Sequence, residues 1–249
     1  MLKLRIIPVL LIRGNTIVKS VAFKDHRMIG DAITAVKVFS NRKADELIML
    51  DIDAFEKGIN YELIRRLSGN AFMPLTVGGG IKSLEEAEEL FKSGADKITV
   101  NTLFHENPHE VKKIVDVFGS QAVCLSLDVS SAKGNYLPYY RGGKIQGANT
   151  LDESLDLLKE LGIGELLINS IDRDGLMQGF DLDLIKEVST KVDVPVIACG
   201  GCQKLEDFCN AVDYGADAIA AGSIFHWVGE SIISIKESML NEGYNVRQH

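Results

Sequence analysis

The chain has 249 residues with 27 lysines and arginines against 35 aspartates and glutamates, a formal net charge of −8. A nucleic-acid-binding surface must be basic to neutralise phosphates, so this balance excludes DNA and RNA as partners. The apolar runs are far shorter than the roughly 20 residues that span a bilayer, and no signal peptide is visible. We expect no membrane contact, a cytoplasmic location, and four reduced cysteines rather than a disulfide scaffold.

Short β-rich runs alternate with helical patterns from end to end. The predicted strands are mostly unbroken apolar runs, typical of parallel strands covered on both faces. They are residues 4–12, 46–51, 74–77, 97–100, 122–128, 165–170, 195–198 and 218–221. The predicted helices are residues 31–40, 61–67, 83–92, 108–117, 151–161, 183–190, 204–214 and 230–240. Eight strands and eight helices predict an α/β fold, the (β/α)8 or TIM barrel, as one domain over residues 1–249.

An internal repeat supports this barrel. A shift of 121 residues places Gly79-Gly80 on Gly200-Gly201 and residues 94–96 on residues 215–217, both of which read Gly-Ala-Asp. The repeat predicts two half-barrels of four units each. Two insertions, residues 13–23 and 132–147, follow equivalent strands in the two halves. They lie where strands end, on the face at which such barrels bind substrates, so we expect them to cover a ligand.

Glycine-rich segments end two equivalent strands and precede helices. Free backbone N–H groups at such helix starts can hold a phosphate, and further donors follow one unit later. The candidates are Gly80, Asn101 and Thr102 in one half, and Gly201, Gly222 and Ser223 in the other. An alternative is that glycine only permits a tight turn. Because the segment occurs twice in register, we favour two phosphate sites and a phosphorylated small molecule as ligand.

Carboxylates also follow strands, at Asp51, Asp53, Asp128, Asp172 and Asp174. Asp128 is the best catalytic candidate because it closes an apolar strand, where a carboxylate can act as general acid or base. Asp172 has an alternative role, pairing with Arg173 or capping a turn. Repeat geometry places Leu11 where symmetry would put a second carboxylate, and leucine cannot transfer a proton.

Cofactor chemistry has weak support. Cys199 and Cys202 have the spacing of a redox or zinc pair, but no second such pair follows and the residues between them are the loop glycines. The five histidines show no ligand spacing. We therefore expect neither a metal nor another cofactor.

Four charged residues begin strands on the opposite face of the barrel, namely Arg5, Glu46, Lys97 and Glu165. Such charges ordinarily remain solvated, and exposed pairs contribute little. The alternative is a salt-bridged ring around the barrel axis. The pattern alone favours the solvated arrangement.

The chain resembles the cyclase subunit of imidazole glycerol phosphate synthase over almost its whole length. The matching segments are residues 5–8 (Arg-Ile-Ile-Pro), 76–81 (Thr-Val-Gly-Gly-Gly-Ile), 94–97 (Gly-Ala-Asp-Lys), 118–121 (Phe-Gly-Ser-Gln), 170–175 (Ser-Ile-Asp-Arg-Asp-Gly) and 245–247 (Asn-Val-Arg). The resemblance implies a barrel that docks a glutaminase subunit at its bottom. Ammonia released there would pass a charged gate and reach a substrate at the top.

The resemblance also implies residue roles. Arg5, Glu46, Lys97 and Glu165 match the gate, which reverses our preference for solvated charges, and Asp96 matches a residue that faces the glutaminase. Asp128 matches one of two catalytic aspartates. The phosphate-binding positions match Gly80, Asn101, Thr102, Asp174, Gly175, Gly201, Gly222 and Ser223, and Lys19 matches a loop lysine near the substrate.

Two positions depart from the family. Leu11 replaces the other catalytic aspartate, and Leu176 replaces a threonine; we expect both to face the substrate. Strand 1 resembles divergent homologues associated with surface-polysaccharide (lipopolysaccharide) genes. There the barrel and its glutaminase are thought to supply ammonia to an N-acetyl sugar amidotransferase.

Three hypotheses remain open. The chain conducts ammonia for sugar amidation, it is a genuine cyclase of histidine biosynthesis, or it is a non-catalytic scaffold that binds a phosphorylated ligand and activates the glutaminase. An aminoimidazole ribotide isomerase is less favoured, because that enzyme also uses an aspartate at the position of Leu11.

Overall fold

The structure is a computed structural model that describes residues 3–132, 134–227 and 231–247. Within these residues the strands are β1 (Arg5–Arg13), β2 (Thr16–Val21), β3 (Lys24–Asp31), β4 (Leu47–Asp51), β5 (Leu75–Gly78), β6 (Lys97–Val100), β7 (Val123–Ala132), β8 (Asn135–Tyr140), β9 (Ile145–Gln146), β10 (Glu165–Ser170), β11 (Val196–Cys199) and β12 (Ala218–Ala221). The helices are α1 (Ala32–Asn41), α2 (Ala54–Lys57), α3 (Tyr61–Ser68), α4 (Leu84–Lys92), α5 (Thr102–Glu106), α6 (Pro108–Phe118), α7 (Leu151–Leu161), α8 (Leu182–Ser189), α9 (Leu205–Asp213), α10 (Ser223–Trp227) and α11 (Ile232–Asn241).

Eight parallel strands close into a barrel. They follow one another in the order β1, β4, β5, β6, β7, β10, β11 and β12. The pairing of β12 with β1 completes the ring, with Arg5 opposite Ala218 and Pro8 opposite Ala221. The (β/α)8 prediction is confirmed, and the predicted strands 97–100, 165–170 and 218–221 coincide with β6, β10 and β12.

The two insertions form antiparallel hairpins rather than irregular loops. β2 pairs with both β1 and β3, and β8 pairs with β7 and β9. The first insertion is longer than predicted, because it continues to Asp31 instead of ending near residue 23. The polar sequence of β3 hides its strand character, which arises from pairing with β2. Both hairpins extend from the carboxyl ends of barrel strands.

The long helices confirm the predicted ones, and several begin at clear N-caps. Asp31 accepts from the backbone of Thr34 at the start of α1, and Thr150 and Glu153 form a capping box on α7. The predicted helix 230–240 corresponds to α11, although Glu230 itself lies outside the described residues. The short helices α2, α5 and α10 were not predicted. None of the described helices is long and apolar enough to cross a membrane.

The core has two layers. The larger layer packs the helices on the outer face of the barrel. The smaller layer fills the barrel interior with Ile7, Ile48, Cys124, Leu167, Ile197, Ala218 and Ala220. Strand residues alternate between these layers because side chains on a strand point to opposite faces with a period of two. The interior residues thus lie between the two ends of the barrel.

A buried ion pair fixes the amino end of β1. Lys236 Nζ lies 2.6 Å from Asp45 Oδ1, and both side chains are buried. The other carboxylate oxygen of Asp45 accepts from the Ile6 backbone N–H at 2.9 Å. Asp45 therefore holds the backbone next to Arg5, and it directly precedes Glu46. This pair sets the position of the strand starts from which the lower charges extend.

Candidate functional site

A cavity of about 710 Å³ opens at the carboxyl ends of the barrel strands. Its volume is typical of small-molecule sites. It is lined by all ten residues predicted for catalysis or ligand binding at this face: Lys19, Gly80, Asn101, Thr102, Asp128, Asp174, Gly175, Gly201, Gly222 and Ser223. Residues from both hairpins also line it, among them Ser20, Phe23 and Arg141. The expectation that the insertions border the ligand face agrees with this geometry.

Asp128 lies buried on β7 between two side-chain amides. Asn101 Nδ2 donates to its Oδ2 at 2.6 Å, and Asn169 Nδ2 donates to its Oδ1 at 3.3 Å. Burial raises the pKa of Asp128 to about 7, while the two amide hydrogen bonds oppose the rise and the charge of Asp174 adds to it. A carboxyl group that titrates near neutrality can give or take a proton, which is the property of a general acid–base catalyst.

The raised pKa of Asp128 predicts a pH-dependent stability. An unfolded aspartate has a pKa near 3.9, so between about pH 4 and pH 7 the folded state binds more protons than the unfolded state. Stability contributed by this group is therefore lost as pH rises. Between pH 5 and pH 8, wild type should lose on the order of 2 to 3 kcal/mol more unfolding free energy than Asp128→Asn. Urea unfolding at both pH values measures this difference.

Ser126→Ala is the control, because it changes the same strand without changing a titratable group. It should keep the pH slope of wild type. Equal slopes for wild type and Asp128→Asn would contradict the raised pKa.

The cavity wall around Leu11 is apolar. Leu11 pairs with Leu50 of β4 and with Val18 of the first hairpin. Val9, Leu50 and Leu167 also line the cavity, so the position expected to hold a second catalytic acid lies in a hydrocarbon surface. Of the two departures expected to face the substrate, Leu11 lines the cavity and Leu176 does not. Leu176 is 39% exposed.

The first hairpin rests on the loop after β10. Ser20 Oγ donates to Asp174 Oδ2 at 2.8 Å, and the Ala22 backbone N–H donates to the Asp174 carbonyl at 2.9 Å. Gly175 has a φ of +69°, and a Cβ there would lie 2.2 Å from the Ser20 carbonyl oxygen. Burial raises the pKa of Asp174 and lowers that of Lys19, and their mutual attraction opposes the shift at Lys19. The structure thus brings Lys19, Asp174 and Gly175 together in the cavity lining, and their role in ligand binding stays a prediction.

The glycine loops also have a steric explanation. Gly80 and Gly201 have φ values of +73° and +103°, and a Cβ at Gly201 would lie 2.3 Å from the Gly179 carbonyl oxygen. Tight backbone packing alone therefore requires both glycines. Thr102 and Ser223 begin α5 and α10 at the edge of the cavity, where N–H groups of a first helical turn lack backbone partners. The phosphate role of these loops stays a prediction.

Asp172 does not pair with Arg173. Its carboxylate accepts from Ser130 Oγ at 2.9 Å and from the Ser131 backbone N–H at 2.6 Å. Arg173 donates instead to the Gln178 carbonyl at 3.2 Å. Asp172 thus connects the loop after β10 to the end of β7.

Cys199 and Cys202 are free thiols that line the cavity, and burial raises the pKa of each, which disfavours the reactive thiolate.

The four charges at the strand starts form a closed ring. Arg5 lies 2.8 Å from Glu46 and 2.9 Å from Glu165, and Lys97 lies 3.2 Å from Glu46 and 2.5 Å from Glu165. Thr76 Oγ1 also donates to Glu46 Oε1 at 2.6 Å. The side chains of Glu46 and Lys97 are only 4% and 14% exposed. Our first expectation of solvated charges is wrong: each cation contacts both anions across the amino end of the barrel.

Asp96 lies beside this ring, exposed at the start of β6. Its carboxylate accepts from the Leu75 backbone N–H at 2.8 Å. Asp217, its counterpart in the repeat, accepts from the Val196 backbone N–H at 2.9 Å. Both half-barrels therefore have this hydrogen bond. It uses one carboxylate oxygen of Asp96, so the other oxygen is available for a further contact.

Asn169 and Ser20 were not among the predicted site residues, although Asn169 contacts Asp128 and Ser20 contacts Asp174. A usable signal existed for Asn169. It lies four residues after Glu165 on β10, just as Asn101 lies four residues after Lys97 on β6. Period-two spacing from a ring residue therefore indicates a side chain on the inner face of the barrel.

Comparison with known proteins agrees with this architecture. Residues 5–229 match the histidine biosynthesis protein family. The chain is 40% identical over 248 residues to a Campylobacter jejuni protein provisionally named imidazole glycerol phosphate synthase subunit hisF2, with 99% of each chain covered. It is 40% identical over 250 residues to imidazole glycerol phosphate synthase subunit HisF of Chlorobaculum parvum, with 99% and 100% covered. The chain belongs to the histidine biosynthesis protein family, as a divergent homologue of HisF, the cyclase subunit of imidazole glycerol phosphate synthase.

Proposed function

We propose that this chain receives ammonia from a glutaminase subunit at its amino-end face and passes it through the barrel to a phosphorylated substrate in the upper cavity. The ring of Arg5, Glu46, Lys97 and Glu165 is the observation that carries this proposal. Its residues match the gate implied by the family resemblance. The HisF relatives are named as subunits, which agrees with a working unit that contains a further chain.

The charge ring has a physical cost that stability alone does not explain. Taking four charged groups out of water is expensive, and buried ion pairs often contribute less to stability than apolar residues of similar size. Glu46 and Lys97 are almost fully buried, yet the alternating signs satisfy both of them. Because the charges of the ring alternate in sign, a neutral molecule could cross it without bringing a net charge into the barrel. This property suits a gate for ammonia.

The upper cavity suits a ligand with a phosphate at each end. Gly80, Asn101 and Thr102 border it on one side, and Gly201, Gly222 and Ser223 border it on the other. Lys19 supplies a cation close to Asp174 on the first hairpin. In this arrangement the helix starts and loop N–H groups hold the two anions, and the middle of the ligand lies above Asp128.

We propose sugar amidation as the pathway that this ammonia serves. The supporting observation is the apolar wall at Leu11, which leaves one proton-transfer group where the cyclase family uses two. In this role a third protein, an N-acetyl sugar amidotransferase for a surface polysaccharide, accepts the ammonia. The genuine cyclase of histidine biosynthesis is the second candidate, favoured by the raised pKa of Asp128 and by 40% identity to HisF proteins.

Docking tests the proposed function directly. The barrel should co-purify with a glutaminase subunit of the HisH type and bury on the order of 1,600 Å² in total, as in a standard stable complex. Asp96→Asn keeps an acceptor for the Leu75 N–H but removes the charge, so affinity should fall about tenfold if Asp96 faces the partner. Asp217→Asn is the matched control in the other half-barrel. Absence of a complex at micromolar concentration would leave the scaffold and conduit hypotheses without support.

Two phosphate ions are expected to bind the upper face, one at each glycine loop. Gly201→Asp should abolish the second site, because it adds charge and bulk where a backbone approaches an anion. Ser223→Asp tests the same site without the steric conflict at a glycine, and it should weaken phosphate binding at least about tenfold through like-charge repulsion.

Gly30→Asp is the control for the added charge, because a side chain at Gly30 meets open space. Crystals of each variant soaked in phosphate give the readout. Phosphate density at neither loop of wild type would contradict the two-site arrangement.

A further inference from the structure

The barrel interior has one polar wall and one apolar wall. β6 and the residue after it contribute Lys97, Thr99 and Asn101, and β7 contributes Cys124, Ser126 and Asp128, all at period-two spacing. The remaining wall consists of side chains from the other barrel strands, which are mostly aliphatic: Ile7, Val9, Ile48, Leu50, Leu167, Ile197, Ala218 and Ala220. A polar stripe therefore leads from the charge ring to Asp128.

At the upper end of this stripe, two side-chain amide oxygens lack a hydrogen-bond donor in the part of the chain that the structure describes. Asn101 and Asn169 both direct their NH2 groups at the Asp128 carboxylate. Their carbonyl oxygens, Asn101 Oδ1 and Asn169 Oδ1, are buried and meet no hydrogen-bond donor among the described residues. Asn169 itself is only 9% exposed, and it lines the upper cavity.

The orientation of both amides is fixed by their surroundings. Asn101 Nδ2 also lies 3.4 Å from the Tyr139 carbonyl oxygen, a second acceptor. With Asp128 ionised, rotating either amide by half a turn would place its oxygen against a carboxylate oxygen, which is repulsive. The two Oδ1 atoms must therefore remain acceptors. Buried acceptors without a donor cost free energy, and native structures normally supply a partner for them.

We propose that Asn101, Asn169 and Asp128 form a receiving site for ammonia, held as ammonium, at the upper end of the barrel interior. This proposal rests on the proposed function, which delivers ammonia to this point. Ammonium carries four N–H donors and no acceptor, so it matches two amide oxygens and a carboxylate. A phosphate dianion, which only accepts, would meet acceptors at this position, and a sugar hydroxyl could donate to only one of the three groups.

Asp128 gives the site a reversible proton. The protonated carboxyl group of Asp128 transfers its proton to the nitrogen of an arriving ammonia molecule, leaving a carboxylate and an ammonium ion. The proton then returns to Asp128, which frees the nitrogen lone pair to attack an acceptor. The pKa of about 7 at Asp128 suits both directions of this transfer. The site thus retains nitrogen in a form that binds, and it releases nitrogen in a form that reacts.

The test is a titration of the isolated barrel with ammonium chloride, followed by the side-chain amide NMR signals of Asn101 and Asn169. Potassium chloride and tetramethylammonium chloride at equal ionic strength are the comparison salts. We expect a saturable response to ammonium alone, because neither comparison ion donates an N–H hydrogen bond. An equal response to potassium would overturn the proposal, as would no saturable response to ammonium.

Asn169→Leu removes one acceptor at nearly constant volume, and it should weaken ammonium binding about tenfold or more, as loss of a hydrogen bond to a charged group does. Asn169→Ser, a milder change that keeps a hydroxyl acceptor, should weaken binding less and serves if the leucine variant does not fold. Asn241→Leu, on the exposed end of α11, is the control and should bind as wild type. Unchanged binding in a folded Asn169 variant would overturn the site.

Because the titration uses the barrel without a glutaminase, it tests the ammonium site independently of the proposed function. Ammonium binding that depends on Asn169, in a chain that forms no complex with a glutaminase, would support the site and remove the conduit. A stable complex in which the barrel shows no ammonium response would keep the conduit and overturn the site.

Discussion

We expect this chain to turn over the ribulose-phosphate substrate of the cyclase family slowly when an ammonium salt supplies the nitrogen. The rate should be about 10² to 10⁴ times lower than in HisF relatives that retain both catalytic aspartates, because one general acid–base group typically contributes a factor of this size. Leu11 occupies the position of the missing catalytic aspartate and lines the cavity within an apolar wall. Leu11→Asp should therefore raise turnover, because it places a carboxylate at the position where the family has its other catalytic aspartate.

The matched control is Leu11→Asn, which adds polarity of similar size without a group that titrates. Steady-state rates for wild type and both variants give the comparison. Near-normal cyclase turnover by wild type would contradict the account and favour the histidine pathway. A gain with asparagine equal to that with aspartate would show that polarity, rather than proton transfer, limits the rate.

Lys97→Met should uncouple glutamine hydrolysis from ammonia use in the complex with the glutaminase. Lys97 neutralises both Glu46 and Glu165, so its loss leaves two buried carboxylates with Arg5 as their shared cation. Unpaired buried charge costs several kcal/mol, which water entry or rearrangement of the ring would relieve. We expect product formed per glutamate released to fall about tenfold or more, since either change opens a path for ammonia to escape.

Lys112→Met, on the exposed face of α6, is the control and should leave coupling unchanged. Phosphate binding at the upper face should survive Lys97→Met, because the ring lies at the opposite end of the barrel. Coupling that persists in Lys97→Met would contradict the gate and make the scaffold hypothesis the better account.

The barrel strands were predictable because they are buried on both faces, which gives unbroken apolar runs. The hairpin strand β3 was not, since its residues are mostly exposed and its conformation follows from pairing with β2. Helices α2, α5 and α10 are four or five residues long, too short to show a 3.6-residue period. Local pattern therefore predicted the repeating unit and missed the elements that build the rim of the site.

The candidate site shows the same division. Strand ends and the 121-residue repeat are enough to place Asp128, Gly80 and Gly201 on one face of the barrel. The ring could not be predicted from pattern alone, because exposure and pairing across four strands depend on barrel closure. Asn169 was missed since an asparagine in an apolar run carries no motif of its own. Its importance comes from its contact with Asp128, which lies 41 residues earlier in the chain.

Isotope competition tests the conduit most directly. The barrel, its glutaminase and the acceptor enzyme are supplied with glutamine labelled with ¹⁵N at the amide and with excess unlabelled ammonium at neutral pH. Ammonia that travels inside the barrel does not mix with the solution, so the account predicts that most of the product nitrogen carries ¹⁵N. Product labelled only to the extent expected from mixing with the ammonium pool would contradict it.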